Sequence, residues 1–537
     1  MCGNTHRALF PTRPMHQPPS PSPLTDLATI LRRPVTNGHD LKAIETLCAA
    51  FLDRHRAERA RAARELPRLA RGADTVLLLS AMAAVSGDLR YYDELLDAVE
   101  GNIAQSGLEG LLHIHAGIGR QLFLMRMNPA SRPGFFEERQ FPFYRRILDE
   151  IRRRQTIVPP ARRAGGGDTG RVVLVTNQFL SLRHQPSRDL LSYAALLEDR
   201  CGREVVILNT NIMPTEVHSL FVPSFAASVE PAFSGDQRIE ADGRAYRMLS
   251  SVEPCVSPGK IAWFLEVIAA LDPDAVLSLG GSCVVADLMA GARPTLCIPT
   301  TSGATLSFAD IVLDFGGGTA PAQGPLARSW RPFRFLHSLA GAAARTDAAR
   351  AAFGLDEGAF VCAVVGNRLD EEADGAFLAM LEALFDRVPR AVAVFAGHAV
   401  ALPRRLAASR HAARLRGLGY VSDMGALLAV CDAYVNPRRT GGGASAAEAL
   451  AAGAVPLSLP GGDVASVVGR HFIHPDYGAF VERLAALAAD PAALAAAAAE
   501  ARVQGSLRTG PEEAAADLSR YLDEAAALFR SRRSPAD

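Results

Sequence analysis

The sequence predicts an α/β protein with two open parallel-sheet domains, preceded by an all-helical region. Three observations indicate this class. Residues 24–155 carry apolar residues at helical spacing, without strand-like alternation. From residue 171 onward, short apolar runs that are typical of buried parallel strands alternate with longer helical segments. This alternation occurs twice, and the second series starts near Gly354.

The composition of the connecting segments divides the 537 residues into five parts. Proline and polar residues dominate the first 23 positions, which predicts a disordered tail. The stretch PPARRAGGGDTG, Pro159–Gly170, has the composition of a linker. The predicted parts are a tail at 1–23, a helical region at 24–155, Rossmann-like domains at 171–340 and 345–510, and a C-terminal helix at 511–537.

The elements of the first series follow the linker in order. They are the strand RVVLVTN, the helix SRDLLSYAALLEDRCG, the strand REVVILNTN, the helix KIAWFLEVIAALDP and the strands DAVLSLGG and RPTLCIPT. The second series contains strands in AFVCAVVGN, RAVAVFAG, ARLRGLGYVS, AYVNP and VPLSLP, with helices between them, then one long helical stretch, DYGAFVERLAALAADPAALAAAAAEARVQG. Open sheets of this kind bind ligands outside the carboxyl ends of their strands, so the cleft between the domains is the predicted site.

Composition argues against several functions. The net charge is zero and the pI is about 7.2, which disfavours bulk electrostatic binding of nucleic acid or an anionic membrane. None of the eight cysteines forms a CxxC pair, so we expect free thiols in a reducing compartment. No stretch is long and apolar enough to predict a transmembrane segment, and no secretory signal is evident. We therefore expect a cytoplasmic protein.

The stretch NPRRTGGGASAAEALAAG, Asn436–Gly453, places three glycines between a predicted strand and a predicted helix. Such a turn presents free backbone N–H groups to an anion, and glycines let a diphosphate approach closely. Ser445 would cap the helix or bind a phosphate oxygen. Glu448 would close a capping box with Ser445 or accept hydrogen bonds from a ribose.

The longer stretch CDAYVNPRRTGGGASAAEALAAGAVPLSLPGGD resembles the donor-binding segment of GT-B glycosyltransferases of families 4 and 41. The order of the parts is similar to the family that includes O-GlcNAc transferase, in which a helical region precedes the GT-B core. The resemblance implies that backbone amides hold a diphosphate and that Glu448 binds ribose. The amides are those of Gly441, Gly442, Gly443, Ala444 and Ser445.

Two positions depart from the family pattern. Thr440 stands where retaining family-4 members carry a glutamate, eight residues before the ribose-binding acid. Arg368 keeps the first member of a basic pair, but no lysine follows it. Arg438 and Arg439 would either add positive charge at the diphosphate or lie solvated in the turn.

Other candidates lie on loops that would face the cleft. Tyr420 and Val421 resemble the segment whose backbone reads the nucleobase. Asp463 would hold a sugar hydroxyl or cap the following helix. His184 would act as a base, an acid or an acceptor contact, with Arg188 beside it on the acceptor side. The turn in SLGGSCVVAD, Ser278–Asp287, would line the cleft or allow close helix packing.

The predicted function is that of a glycosyltransferase that moves a hexosyl group from a nucleoside-diphosphate sugar, with UDP favoured by resemblance, to a protein or surface glycan. His184 and Arg368 are the candidate catalytic residues. We expect neither a metal nor a further cofactor, because a helix N-terminus and basic side chains can stabilise the leaving diphosphate.

The donor site is expected beyond residue 360, so the helical region should be dispensable for nucleotide binding. A nucleotide-sugar epimerase and a non-catalytic binding module remain as alternatives.

Overall fold

The computed structural model describes residues 22–35, 38–52, 54–125, 127–161, 168–182, 184–214, 221–222, 227–253, 256–302, 305–315, 329–333, 336 and 347–533. The predictions made for the tail before residue 22, for linker residues 162–167, for 337–340 at the end of the first domain and for 534–537 lie outside the described residues.

The N-terminal region is helical, as the sequence predicts. Its helices are α1 (Pro23–Leu31), α2 (Gly38–Ala49), α3 (Arg56–Leu69), α4 (Thr75–Ser86), α5 (Arg90–Glu100), α6 (Leu108–Leu124) and α7 (Phe141–Gln155). The sequence sets their ends locally: Asp74 accepts a hydrogen bond from the N–H of Leu77 at the start of α4, and Gly87 ends α4 in a left-handed conformation. A π-helical turn, Phe136–Gln140, leads directly into α7.

The first domain is built on a sheet of eight described strands. They are β1 (Arg171–Thr176), β2 (Glu204–Asn209), β3 (Gly235–Ala241), β4 (Arg244–Ser250), β5 (Ala275–Leu279), β6 (Thr295–Ile298), β7 (Ile311–Asp314) and β8 (Trp330–Pro332), in the order β3-β4-β2-β1-β5-β6-β7-β8. Its helices are α8 (Gln185–Asp199), α9 (Pro258–Leu271) and α10 (Val284–Leu288). All neighbours pair in parallel except β3 and β4, an antiparallel hairpin that the sequence analysis missed.

The second domain contains a parallel sheet in the order β11-β10-β9-β12-β13. Its elements are α11 (Asp347–Ala352), β9 (Phe360–Val365), α12 (Leu369–Glu372), α13 (Gly375–Arg387), β10 (Ala391–Ala396), α14 (Leu402–Ala407), β11 (Leu415–Gly419), α15 (Met424–Ala429), β12 (Ala433–Val435), α16 (Gly443–Ala452), β13 (Val455–Leu457), α17 (Gly462–Val468), α18 (Tyr477–Ala489) and α19 (Pro491–Thr509). Every strand that the sequence predicts for this domain is present. The long helical stretch is helical as predicted and consists of two helices, because Asp490 caps α19 and Pro491 cannot continue α18.

The last helix, α20 (Pro511–Arg533), leaves the second domain and packs on the first sheet. Ala514, Leu518 and Tyr521 of α20 share a core with side chains of β1 and α8. Among the described residues no single helix is long and apolar enough to cross a membrane. One bent pair, α18 with Pro491–Arg532, meets that criterion only when its two members are taken together across a bend of 114°.

The helical region and the first domain share one hydrophobic core. Val173 and Val175 of β1 belong to the same cluster as Ile147 and Ile151 of α7, whereas Val172 and Leu174 of β1 face α20. Apolar cover on both faces explains why the strand sequences are continuous apolar runs. The predicted fold class, two Rossmann-like domains facing a cleft with a helical region before them, is confirmed, whereas the division into five parts stays a prediction. All six cysteines among the described residues are free.

Candidate active site

The carboxyl ends of the two parallel sheets face each other across a cleft of about 510 Å³. We call this space the interdomain cleft. Loops that follow β1 and β6 form one wall, and loops that follow β9 to β13 form the other. Phe123, at the end of α6, adds a wall from the helical region. The cleft therefore lies where open α/β sheets bind ligands.

The fold brings twelve sequence-predicted site residues to this cleft, whereas Arg438 and the Ser278–Asp287 turn are not among the described residues that line it. The twelve residues are His184, Arg188, Arg368, Tyr420, Val421, Gly441, Gly442, Gly443, Ala444, Ser445, Glu448 and Asp463. Their roles remain predictions, but their proximity is a property of the fold.

The glycine run needs bare backbone for two reasons. Gly442 has φ +104°, a left-handed conformation that side chains rarely adopt, and it precedes the first residue of α16 without any side-chain cap. The second reason is that neighbouring side chains leave little space for a Cβ atom along the run. A Cβ on Gly441 would lie 3.2 Å from Cζ of Phe123, and one on Gly443 would lie 3.2 Å from Cβ of Asp463.

The structure removes the capping interpretation of Ser445 and Glu448. Since α16 begins at Gly443, Ser445 lies inside the helix, and its hydroxyl donates to the carbonyl oxygen of Gly442 at 3.0 Å. No capping box can therefore form. Burial raises the pKa of the Glu448 carboxyl, while the nearby Arg188 guanidinium acts in the opposite direction.

Arg439 is buried beneath the glycine run, with its side chain 4% exposed. It donates to Glu372 Oε2 at 2.9 Å, to the Tyr434 hydroxyl at 2.7 Å and to Asn436 Oδ1 at 2.7 Å. The solvated-turn interpretation is therefore wrong for Arg439. It fits Arg438, which is exposed.

Arg368 lies at the cleft beside this buried arginine. Its guanidinium donates to Glu372 Oε1 at 3.1 and 2.9 Å, and its carbon Cζ lies 4.9 Å from the ring centre of Phe123. Glu372 thus holds two arginines, one on each carboxylate oxygen. This arrangement fixes positive charge next to the start of α16, where the macrodipole also favours an anion.

The opposite wall carries three titratable side chains at the start of α8. His184 Nδ1 lies 3.0 Å from Oγ of Ser187, and burial lowers the pKa of the imidazole. Asp189, which the sequence analysis missed, accepts a hydrogen bond from Gln185 Nε2 at 2.8 Å. Burial raises the pKa of Asp189 to about 7, despite that hydrogen bond and the nearby Arg188.

Asp463 joins the two domains. Its Oδ1 accepts hydrogen bonds of 2.7 Å from both the backbone N–H and the hydroxyl of Ser302 in the loop after β6. It is the second residue of α17, so it does not occupy the N-cap position that the sequence analysis left open. Burial raises the pKa of its carboxyl, and the bonds from Ser302 oppose that shift.

Tyr420 and Val421 lie in the loop that follows β11, at the outer part of the cleft. Tyr420 is 61% exposed, which leaves its ring open to a ligand.

The described residues hold no cluster of three or more His, Cys, Asp or Glu side chains with the spacing of a metal site.

Three of the cleft residues that sequence reasoning missed show three different reasons for the omission. Phe123 comes from a region that was predicted to lie apart, and nothing in its local sequence places it at the cleft. Asp189 follows the predicted Arg188 directly. Its position in the first turn of the predicted helix, beside Arg188, was the sequence signal that could have identified it. Glu372 was visible as the fourth residue after Arg368, a spacing that permits an ion pair within one helical turn.

Comparison with known proteins gives matches only at the level of structure. No protein-family model matches the chain, and no curated protein matches it. A mutant of the Thermobaculum terrenum O-GlcNAc transferase matches with 16% identity and TM-score 0.49, over 94% of this chain and 98% of that chain. Anabaena HepE in complex with UDP and glucose matches with 14% identity and TM-score 0.46, over 66% and 99%. WaaG, a glycosyltransferase involved in lipopolysaccharide biosynthesis, matches with 14% identity and TM-score 0.40, over 66% and 99%. Each of these three TM-scores is below 0.5, so these likenesses do not establish what the cleft binds.

Proposed function

We propose that this protein is a glycosyltransferase that takes its sugar from a nucleoside-diphosphate donor bound in the interdomain cleft. One observation carries the proposal. The uncapped start of α16 and the Arg368–Glu372–Arg439 cluster place backbone amides and positive charge at one point, with the Glu448 carboxylate one helical turn away. This combination suits a diphosphate with a ribose attached.

The proposed reaction needs few participants. The bond between the anomeric carbon and the diphosphate oxygen breaks, and the electron pair leaves with the diphosphate. The acceptor oxygen forms the new bond to the anomeric carbon, and its proton passes to His184. Arg368 and the amides of the glycine run stabilise the added negative charge on the leaving group.

His184 suits the role of base because burial lowers the pKa of its imidazole, which is therefore neutral at pH 7. Its Nδ1 is held by Ser187, which fixes the ring and leaves Nε2 for the acceptor hydroxyl. Because the proposed charge stabilisation comes from arginines and a helix N-terminus, transfer should not require a divalent metal. Chelation with EDTA should leave the rate unchanged.

UDP is the first nucleotide to test, because it is the most frequent donor nucleotide in the families that the glycine segment resembles. The test is calorimetric titration with UDP, ADP, GDP and uridine, followed by incubation with a panel of UDP-hexoses and detection of released UDP. We expect UDP to bind more tightly than uridine, and an acceptor to increase the release of UDP. A rearranged nucleotide sugar without release would identify an epimerase, and binding without any turnover would identify a non-catalytic module.

The variant His184→Ala tests the base. It should lower kcat by about 10²–10⁴-fold, the usual contribution of general acid–base catalysis, while UDP affinity stays unchanged. His471→Ala is the matched control, because His471 is exposed on the second domain. The acid limb of the wild-type pH–rate profile should lie below the ordinary histidine value of about 6.5. An unchanged kcat in His184→Ala would remove the histidine from the mechanism.

A further inference from the structure

A second cavity, of about 340 Å³, opens beside the interdomain cleft. We call it the side cavity. It shares Phe123, Thr300 and Thr301 with the interdomain cleft, so the two spaces adjoin. One side is α6, and the other is formed by the loops that follow β1, β2 and β5. It therefore also lies at the carboxyl ends of parallel strands, next to the proposed donor.

The described walls of the side cavity are uncharged. None of the described residues that line it is Asp, Glu, Lys or Arg. The one titratable side chain of its described lining is His115, which is neutral at pH 7 because burial lowers its pKa to about 4. An ionised ligand would lose its hydration there without gaining a counter-charge, so the cavity selects against it.

Several uncharged polar groups nevertheless face a ligand in this space. Gln140 ends the π-helical turn, is 4% exposed and has no hydrogen-bond partner for its side-chain amide among the described residues. His115 Nε2 lies 2.8 Å from Oγ of Ser282, and both residues line the cavity. A side-chain amide without a protein partner, such as that of Gln140, is typically satisfied by a ligand or by water.

The backbone conformation at Ser282 also indicates that this cavity binds a ligand. Its φ is +53°, a left-handed conformation that is uncommon outside glycine. Asn177 Nδ2 donates to the carbonyl oxygen of Ser282 at 3.0 Å and holds the strained turn in place. Strain of this kind concentrates where a side chain has to be presented to a ligand.

We propose that the side cavity is the acceptor site, and that it takes an uncharged acceptor with an apolar body and a hydroxyl group directed past Phe123 toward the donor. The proposal rests on the proposed function, which it completes by naming the chemical class of the acceptor. It also gives α6 and the π-helical turn a direct part in acceptor recognition.

Gly119 offers a clean way to fill the cavity. It lines the side cavity, and a Cβ built on it meets no atom within 4 Å. Gly119→Leu would occupy the space, whereas Gly119→Ala adds one methyl group and serves as the matched control. Both replacements raise helix propensity in α6, so neither should weaken the fold. Circular dichroism and the UDP titration check this for each variant.

The probes are 1-hexanol, hexanoate and hexylammonium, which share a chain length and differ in charge. Saturation-transfer NMR on the full-length protein with UDP present should detect hexanol, with a signal at least fivefold above the two ions. Gly119→Leu should abolish the hexanol signal and keep UDP affinity within twofold, and Gly119→Ala should retain both.

The failures are distinguishable. A hexanol signal that survives in Gly119→Leu overturns the side cavity as the binding site, and hexanoate or hexylammonium bound as strongly as hexanol overturns the uncharged class. Failure of UDP to bind the wild-type protein overturns the proposed function instead.

Discussion

The guanidinium of Arg439 lies directly against Gly442, where a Cβ would come within 2.5 Å of Nη2. The same arginine would meet a Cβ on Gly366 at 2.5 Å from Nη1. Glycine in the loops after β9 and β12 therefore makes room for one buried cation beneath the proposed diphosphate. The chain has no lysine after Arg368, and Arg439 supplies a second positive charge from a different loop.

Replacing Gly442 should damage both the fold and the site. Gly442→Ala forces a side chain into a left-handed conformation and against Arg439, so the free energy of unfolding should fall by about 1–3 kcal/mol. Affinity for UDP should fall more than affinity for uridine, because the displaced loop carries the phosphate-facing amides. Denaturant unfolding and paired calorimetric titrations measure the two effects.

Gly375→Ala is the control for this variant. Gly375 begins α13, and a Cβ there meets nothing within 4 Å. Its replacement should leave nucleotide binding unchanged and raise stability by about 0.4–1 kcal/mol. Equal effects of the two substitutions, or none from Gly442→Ala, would mean that the close contact with Arg439 has no energetic importance.

Glu448 should recognise the ribose, since the capping alternative is excluded by the start of α16 at Gly443. Glu448→Gln should weaken UDP binding by about 1–3 kcal/mol, the value of a hydrogen bond to a charged group. Binding of 2′,3′-dideoxy-UDP should hardly change, because that ligand lacks both hydroxyls. Glu371→Gln, at an exposed position on α12, is the control. If Glu448→Gln weakened the binding of UDP and of 2′,3′-dideoxy-UDP equally, Glu448 would not bind the ribose hydroxyls.

Asp189 should make stability depend on pH. Its pKa is raised from 3.8 to about 7 by burial, so the folded state binds more protons than the unfolded state between these values. The contribution of Asp189 to stability is therefore fully present below pH 4 and is lost as the pH rises to 7. Asp189→Asn has no carboxyl group to ionise, so its free energy of unfolding should not show this decrease.

The measurement compares unfolding free energies of the wild-type protein and Asp189→Asn between pH 4 and pH 8. The difference between the two proteins should change by roughly 2–4 kcal/mol in favour of the variant, since one pKa unit corresponds to about 1.4 kcal/mol. Taking the difference cancels the other buried groups, including His115, whose lowered pKa acts in the opposite direction. A difference that stays constant with pH would show that Asp189 is not buried as a neutral acid.

The central sheets could be predicted from the sequence because their signal is local. Parallel strands that are buried on both faces read as apolar runs, and each glycine turn follows the strand that it ends. The β3–β4 hairpin was missed although Asp242-Gly243 lies at its turn, with φ +51° and +76°. Its alternating polar residues differ from the apolar runs of the other strands, and Asp-Gly is a strong hairpin signal.

The contacts that complete the site could not be predicted, because they join distant parts of the chain. Phe123 meets Arg368, and Asp463 meets Ser302, only after the domains have packed. The burial of Arg439 is of the same kind, since its partner Glu372 lies 67 positions earlier. Periodicity and composition describe single elements, and they carry no information about which loops converge.

The shared core argues against the expectation that the helical region is dispensable for nucleotide binding. Tyr144 of α7 donates to Asp287 Oδ2 at 2.7 Å, and its ring lies 5.8 Å from that of Phe308. Asp287 is buried, and burial raises its pKa to about 6. Loss of Tyr144 would leave Oδ2 of Asp287 without this donor, while Oδ1 would keep its hydrogen bonds from Ser307 and Phe308. Deleting residues 1–155 would also remove Ile147 and Ile151 from the apolar cluster that contains Val173 and Val175, in which the side chains of α9 and α10 would remain.

We therefore expect the variant that lacks residues 1–155 to aggregate or to lack cooperative unfolding, rather than to remain a soluble two-domain core. The physical reason is that the helical region and the first domain share one apolar cluster, so removal of the helices exposes apolar side chains of the first domain to water. Tyr144→Phe is the graded control: it keeps the apolar packing and removes one hydrogen bond, so it should cost about 1–3 kcal/mol and leave the protein folded. Size-exclusion chromatography, circular dichroism melting and UDP titration measure all three proteins. A truncated protein that is monomeric, melts cooperatively and binds UDP like the wild type would show that the core divides at the linker.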